Sequence, residues 1–187
     1  KKVTDYEKII TENPIFLQRT KGKGVLAKEV ALNGSITGVN LRASGVNLDF
    51  RTKDDLYCGF YFEPVVLEGA DAWSRYKARV LEIIESSNIV RQALEFLKKG
   101  DELEQKLINP INLKLPEGEY YSEIEAPRGL ASLYIKSTGE NSPYRLKWRT
   151  GSFYAVNLLR KLLVGEYLND AIAVSGSLDI ILPEVDK

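Results

Sequence analysis

The clearest pattern along the chain is a series of apolar residues spaced alternately three and four positions apart. This apolar seam comprises Trp73, Tyr76, Val80, Ile83, Val90, Leu94 and Leu97. Only Ser87 interrupts the register, so the spacing predicts one long helix of about 40 Å at roughly 1.5 Å per residue. Asp71 stands where an N-terminal cap belongs, and Gly100 stands where the helix should end. Such a seam usually marks a core helix of a bundle, and the alternative is that it lines a cofactor.

Shorter elements are predicted before this helix. Residues 4–12 favour a short helix, and a second one is expected near 27–32 between glycine-containing loops. Residues 38–55 lack a helical period and contain two glycines, so we interpret them as a structured loop. Residues 56–69 are aromatic and β-prone, with one proline interrupting them.

The apolar period changes to two after residue 118. The segments "GEYYSEIEAP", "GLASLYIKSTG" and "SPYRLKWRTG" predict a three-stranded antiparallel unit. Helical spacing returns in "SFYAVNLLRKLLVG" and "EYLNDAIAVSG", with Gly165 and Gly176 as expected helix ends. The predicted fold class is therefore α+β: a long bundle helix, a small antiparallel β-sheet and C-terminal helices. These helices lead into a short tail, "GSLDIILPEVDK" (residues 176–187).

Composition narrows the functional classes. The chain has 187 residues, 44% of them hydrophobic and 28% charged, which is typical of a single globular domain. Its 26 basic and 26 acidic residues cancel, which argues against nucleic acid as a partner, because phosphate backbones require a basic surplus. No apolar run approaches the roughly 20 residues that span a bilayer.

Two residue types limit the chemistry that the chain can perform. The sequence contains no histidine, so carboxylates and tyrosines are the local candidates for proton transfer. Its single cysteine, Cys58, excludes a multi-cysteine metal site built from this chain alone.

The sequence also contains no methionine, and it begins in what the pattern indicates is a helix. We therefore expect it to be a fragment of a longer polypeptide.

Six motifs in series resemble one known family. They are "NPIFLQRTKGKGV" (13–25), "TGVNLRASGV" (37–46), "RYKARVLEIIESSNIVRQAL" (75–94), "EAPRG" (125–129), "YRLKWRTGSF" (144–153) and "GSLDIILPEVDK" (176–187). In this order they resemble the C-terminal half of the 49 kDa subunit family of respiratory complex I (NADH-quinone oxidoreductase), a relative of nickel–iron hydrogenase large subunits. The resemblance covers residues 1–187 as a single domain and implies a hydrogenase-large-subunit-like fold.

The sequence also departs from this family. It has Thr150-Gly151 where the family usually has two prolines, Ile180 where the family has proline, and Lys187 in place of a terminal arginine. The family's N-terminal half, with a histidine and a tyrosine that meet the quinone headgroup, has no counterpart here. Those two roles are therefore not assigned to any residue of this chain.

The resemblance implies a function and a set of partners. It implies a subunit fragment of a membrane-associated oxidoreductase of the respiratory chain that transfers electrons from NADH, or reduced F420, to quinone within a proton-translocating complex. The chain would contribute the quinone-binding chamber, next to an iron–sulfur cluster held by a partner subunit, and would contact membrane-arm subunits. The expected location is cytoplasmic, peripheral on the inner face of the cell membrane, and the fragment alone is expected to be inactive. The alternative is a metal-free scaffold that docks an iron–sulfur subunit to a membrane arm.

The tail carries the candidate site residues that the resemblance implies. In hydrogenase relatives the tail holds two metal-binding cysteines, which fall here at Ile181 and Glu184. Neither residue supplies a thiolate, so a nickel–iron centre, and with it an energy-converting hydrogenase, is excluded. Ile181 is instead expected in the apolar wall of the chamber, with core packing as the alternative. Asp179 is expected to exchange protons there, because burial favours the protonated form of an acid, and a helix or turn cap is its alternative.

Two arginines are expected to support this chamber. Arg128 lies in "APRG" and Arg42 in "LRASG", and their forked donors are suited to anchor acids such as Asp179 or Glu184, or to raise the potential of a nearby cluster. Arg149 belongs to the same group. Ordinary surface ion pairs are the alternative for each of them.

Overall fold

The computed structural model describes residues 3, 5, 7–97 and 114–186. A π-helical turn (Glu7–Thr11) precedes three short helices, α1 (Pro14–Thr20), α2 (Lys28–Asn33) and α3 (Gly38–Arg42). Two 3-10 turns (Phe50–Lys53 and Asp55–Tyr57) lead to the long helix α4 (Ala72–Leu97). Strands β1 (Gly118–Ala126), β2 (Gly129–Ser137) and β3 (Arg145–Arg149) follow, then helices α5 (Gly151–Leu162) and α6 (Leu168–Ser177) and a 3-10 turn (Leu182–Glu184). These elements confirm the predicted α+β class.

Helix α4 begins where the sequence predicts. The Asp71 carboxylate accepts hydrogen bonds from the backbone N–H groups of Ser74 at 2.7 Å and Gly22 at 2.7 Å. It therefore caps the first turn of the helix and fastens the 21–24 loop to it. The predicted end at Gly100 lies outside the described residues.

The predicted core packing of the apolar seam holds only for the first half of α4. Val80 is buried and Tyr76 is half-buried, whereas Ile83, Val90 and Leu94 are 52%, 58% and 53% exposed. Within the described part of the chain, the core-helix interpretation is thus wrong for the second half of the helix. None of the helices in the described ranges is long and apolar enough to cross a membrane.

The three strands form one antiparallel sheet in the order β1-β2-β3, as predicted. Ala126 pairs with Gly129, so only Pro127 and Arg128 form the turn between β1 and β2. A Cβ atom on Gly129 would lie 2.5 Å from the Thr37 hydroxyl oxygen. The turn of this hairpin therefore packs directly against the start of α3, and only a residue without a side chain fits there.

The main hydrophobic core joins the short helices to the two C-terminal helices. Its buried members are Leu26, Ala31, Ile36, Leu41, Ala155, Leu158, Leu162, Val174 and Leu178. Leu178 is 1% exposed and belongs to the tail, and Ile180 packs against the same core. The first residues of the tail are consequently held by the core rather than extending into solvent.

Three local predictions were wrong. Residues 38–42 form the helix α3, although residues 38–55 were expected to be a loop, because five residues are too few to show a helical period. The β-prone segment 56–69 contains no strand, and the Gln92 side chain instead hydrogen-bonds both the N–H and the C=O of Tyr61, at 2.9 and 2.7 Å. Helix α6 continues through Gly176 to Ser177 rather than ending at the glycine.

Candidate functional site

The C-terminal tail lies against the turn of the β1–β2 hairpin. The Arg128 guanidinium donates to the backbone oxygen of Asp179 at 3.0 Å and lies 3.4 Å from its carboxylate. It also pairs with the Glu184 carboxylate at 3.5 Å. Glu184 in turn accepts a hydrogen bond from the Ser152 hydroxyl, at 2.6 Å, in the first turn of α5. The tail is thereby fixed between the hairpin and α5.

Asp179 ends helix α6 with its backbone in the left-handed region, at a φ of 55°. Its N–H donates to the Gly176 carbonyl oxygen at 3.1 Å, so the residue terminates the helix as the cap interpretation expects. Its carboxylate nevertheless remains 40% exposed and lines a cleft. The backbone cap therefore does not exclude proton exchange by the carboxylate, which stays a prediction.

The cleft has a volume of about 540 Å³, a size typical of small-ligand sites. Its charged lining consists of Arg42, Arg51, Arg79, Glu82, Glu125 and Asp179. Its apolar lining includes Val39, Pro127 and two residues of the apolar seam, Ile83 and Val90. We call it the central cleft. A second cleft of about 410 Å³ shares Arg79 and Asp179 with it, so these two residues lie between the clefts.

Arg42 is the centre of a buried charge network beside the central cleft. Its guanidinium lies 2.6 Å from Glu82, 2.8 Å from Glu125 and 3.4 Å from Asp49. The Arg42 side chain is 1% exposed, so the surface ion-pair interpretation is wrong for this residue. Arg51 forms the second cation of the network and contacts Asp49 at 2.6 Å.

Burial and the neighbouring opposite charges shift the pKa values of this network in opposite directions. Burial disfavours the Arg42 guanidinium, but the attraction of the three carboxylates outweighs it, and the pKa of Arg42 is raised. Burial raises the pKa of Glu125, and the charge and hydrogen bond of Arg42 only partly oppose this. Asp49 behaves differently, because the hydrogen bond from Arg51 and the charges of both arginines overcome its burial and lower its pKa.

Two further arginines of α4 hold the end of helix α6. Arg75 is fully buried and donates to the Ser177 hydroxyl at 2.9 Å. Arg79 donates to the Ser177 carbonyl oxygen at 2.7 Å and to the Asn40 side chain at 2.9 Å. Burial, reinforced by the charge of Arg79, lowers the pKa of Arg75 to about 10. The last carbonyl group of α6, that of Ser177, is thus satisfied by a cation, which complements the helix dipole.

The structure brings the predicted site residues to two places. Asp179 and Arg42 line the central cleft, and Arg128 holds Asp179 at its edge. Ile181 is half-buried, and its N–H donates to the Ser152 hydroxyl at 3.3 Å, but it is not among the lining residues. Its role in the chamber wall stays a prediction. Arg149 donates to the carbonyl oxygens of Leu130 at 2.6 Å and of Ser35 at 2.9 Å, which joins the sheet to the helices.

Five charged residues of the site were missed from the sequence: Arg79, Glu82, Asp49, Arg51 and Glu125. A signal existed for the first two, because Arg75, Arg79 and Glu82 follow at intervals of four and three and so form a charged stripe on α4. Asp49 lay in a segment interpreted as loop, and Glu125 lay within the "EAPRG" motif, where only Arg128 was singled out. No signal in their own segments predicts that both acids face Arg42.

Metal binding in the central cleft finds no support in its side chains. Among the residues that the structure describes, no group of three or more His, Cys, Asp or Glu side chains is arranged to hold a metal ion. Cys58 is exposed and lies outside the lining of the central cleft. The acids of the cleft are held by arginines, whose positive charge competes with a cation for the same oxygen atoms.

The charge network makes one prediction about pH. We expect Asp49→Asn to destabilise the chain by about 1–3 kcal/mol at neutral pH, because a charged hydrogen-bond acceptor is lost. The folded-state pKa of Asp49 lies below its ordinary value of 3.8, so its stabilisation is present above that value and is lost as the pH falls through the folded-state pKa. Urea denaturation between pH 2 and 7 should show the two proteins converging in acid. A constant difference across this range would contradict the assignment.

Comparisons with known proteins identify the family of the chain. Residues 1–187 match the family model described as "Respiratory-chain NADH dehydrogenase, 49 Kd subunit". The D subunit of the NADH-quinone oxidoreductase of Geobacillus thermodenitrificans is 45% identical over 188 residues, covering 99% of this chain and 50% of that protein. The subunit of the same name from Bacillus cytotoxicus is 43% identical over 184 residues, covering 97% and 50%. The chain thus spans about half the length of these relatives.

A solved structure shares the fold. It is described as "membrane-bound sulfane sulfur reductase (MBS), an archaeal respiratory membrane complex", and one of its chains superposes with a TM-score of 0.90 at 36% identity. The match covers 100% of this chain and 52% of that chain. The predicted resemblance is therefore confirmed by sequence and by structure. The chain belongs to the 49 kDa subunit family of respiratory-chain NADH dehydrogenase.

Proposed function

We propose that this chain is part of a subunit of an NADH-quinone oxidoreductase and that its central cleft is part of the quinone-binding chamber. The observation that carries the proposal is that Asp179 of the tail lines the same cleft as Ile83 and Val90 of the apolar seam. A proton-exchanging acid and an apolar wall thus face one space, as reduction of an apolar carbonyl compound requires. The alternative of a seam that lines a cofactor, rather than core alone, gains support from these two residues.

The residues of the cleft divide the chemistry between them. Reduction of a quinone to a quinol consumes two electrons and two protons. Electrons are expected from an iron–sulfur cluster of a partner subunit, since Cys58 is the only cysteine in the sequence. The guanidinium groups of Arg42, Arg51 and Arg79 provide positive potential where negative charge develops on the carbonyl oxygens. Asp179 exchanges a proton with that oxygen directly or through water.

Arg128 acts as the positioning residue for Asp179. It binds both the backbone oxygen and the carboxylate, at 3.0 and 3.4 Å, and so fixes the acid at the edge of the cleft. The proposed location is peripheral, on the cytoplasmic face of the membrane and against the membrane arm, where an apolar quinone enters from the bilayer. Partner subunits would include the one that holds the iron–sulfur cluster.

Asp179→Asn in the intact complex tests this proposal. We expect NADH-driven quinone reduction to fall by about 10²-fold, because the amide cannot exchange the proton. Reduction of a hydrophilic artificial acceptor by NADH should be unchanged, since it does not use the chamber. Asp186→Asn is the matched control, because Asp186 is an exposed acid of the same tail outside the cleft.

The alternative function is a metal-free scaffold that docks an iron–sulfur subunit to a membrane arm. The exposed second half of α4 favours it, since Leu94 and Leu97 are 53% and 49% exposed and lie beyond the central cleft. A scaffold predicts that Asp179→Asn leaves quinone reduction at the wild-type rate. That result, with normal assembly of the complex, would reject the chamber.

A further inference from the structure

We propose that Glu125, at the end of strand β1, is a second proton-exchange group of the central cleft, separate from Asp179. The inference rests on the proposed function and adds a site to it. Glu125 lines the cleft, yet its side chain is only 5% exposed. It is therefore enclosed by protein on most sides and open to the cleft, which is the arrangement that a proton donor to a bound ligand requires.

The balance of charge around Arg42 supports this assignment. Three carboxylates, those of Asp49, Glu82 and Glu125, surround a network that contains two guanidinium groups, Arg42 and Arg51. Asp49 is matched by Arg51 at 2.6 Å, Glu82 and Glu125 both contact Arg42, and Arg79 is a further cation that interacts with Glu82. Like charges in a buried site disfavour full ionisation, which makes Glu125, with Arg42 as its contacting cation, the natural carrier of a proton.

Of Glu82 and Glu125, Glu125 is the better candidate. Glu82 accepts two hydrogen bonds from Arg42, at 2.6 and 3.0 Å, and its side chain is 15% exposed. Glu125 accepts one from Arg42 at 2.8 Å and a long one from the Phe50 N–H at 3.4 Å. Burial raises the pKa of Glu125, and the negative charge of Asp49 adds to this.

The charged groups that contact Glu125, belong to its charge network or line the same cleft come from several elements. They are Arg42 of α3, Asp49 and Arg51 of the following 3-10 segment, Arg79 and Glu82 of α4, and Asp179 of the tail. Tyr57 completes the titratable lining. Because Glu125 and Asp179 border the same cleft, they are suited to supply the two protons of one quinol from two positions.

The proposed step is a proton transfer that completes a two-electron reduction. The O–H bond of the Glu125 carboxylic acid breaks, and its proton forms an O–H bond on a quinone oxygen, directly or through a water molecule. The second proton comes from Asp179, and the two electrons come from the iron–sulfur cluster of the partner subunit. The Glu125 and Asp179 carboxylates then each regain a proton from solvent through the cleft.

The test is Glu125→Gln in the intact complex, with the rate of NADH-driven quinone reduction measured between pH 5 and 9. The wild-type rate should fall as the pH rises through the pKa of Glu125. Glutamine cannot donate, so the variant should lose this pH-dependent decline and be slower by about 10²-fold at the acid end. Glu123→Gln is the matched control, because Glu123 is an exposed acid of the same strand and lies outside the lining of the central cleft. Its pH profile should match the wild type.

Glu125→Asp is a second variant for the case in which Glu125→Gln fails to assemble. It keeps the carboxylic acid but has a shorter side chain. A shifted pH profile with partial activity supports proton exchange, whereas an equal fall at every pH indicates a structural role and overturns the inference. If Glu125→Gln leaves rate and profile unchanged while Asp179→Asn is impaired, this inference fails and the proposed chamber stands. If both variants match the wild type, the chamber itself is rejected.

Discussion

Arg42→Met is expected to destabilise the chain by about 3–5 kcal/mol, because it leaves acids buried without their cation. The Arg42 side chain is 1% exposed and has carboxylates at 2.6, 2.8 and 3.4 Å, belonging to Glu82, Glu125 and Asp49. Methionine fills part of the volume but donates no hydrogen bond. Since domains are stable by only about 5–15 kcal/mol, this is a large part of the free energy of unfolding. Urea denaturation of the parent subunit measures the change.

Two further variants test whether the loss of stability is specific to the buried charge network or follows the removal of any cation. Lys136→Met removes the cation of an exposed pair with Glu119 at 3.2 Å and should leave the denaturation midpoint nearly unchanged. Combining Arg42→Met with Glu82→Gln and Glu125→Gln removes the two acids nearest the lost cation and should restore part of the stability. If the triple variant is no more stable than Arg42→Met, the loss comes from packing and not from unpaired charge.

Regular elements were predictable because their signal is local. The three- and four-residue spacing of the seam, the period of two after residue 118 and the cap at Asp71 each depend on neighbouring residues, and all three are observed. Helix α3 was missed because five residues starting at a glycine leave no period to detect. Its helical state depends on contacts with distant segments, such as the hydrogen bond from the Leu130 N–H to the Thr37 hydroxyl at 2.9 Å.

The site was only partly predictable, because its contacts join residues that are far apart in the sequence. The family resemblance led to Asp179, Arg128 and Arg42, and Arg128 does contact the tail acids. The partners of Arg42 are different acids, because an ion pair is decided by tertiary packing between residues that are 40 and 83 positions apart in sequence. Sequence identifies a forked donor, and only the fold decides which carboxylates surround it.

The apolar seam shows how one pattern serves two purposes. A spacing of three and four residues reports which side of a helix is apolar, but not what lies against that side. In α4, Val80 is buried, whereas Ile83 and Val90 line the central cleft. The seam therefore changes along its length from core to cleft wall. This change explains why a packing interpretation and a ligand interpretation both describe part of the helix.

Gly38→Ala is expected to destabilise the chain by about 2–5 kcal/mol, from backbone strain and a steric clash. Gly38 has a φ of +69°, and a Cβ atom there would lie 2.4 Å from the Cα atom of Gly129. Backbone atoms cannot rotate away, so the hairpin turn would have to shift, and Arg128 would move away from Asp179 with it. We therefore expect quinone reduction to fall together with the denaturation midpoint.

Gly22→Ala isolates the clash from the strain. Gly22 has nearly the same φ, +67°, but nothing lies within 4 Å of an added Cβ atom. It should lose only about 1–2 kcal/mol, the cost of the left-handed conformation, and keep the geometry of the hairpin turn. The difference between the two variants therefore measures the close packing of α3 on the hairpin turn that carries Arg128. Equal losses in both variants would mean that this contact yields easily and does not hold Arg128 against the tail.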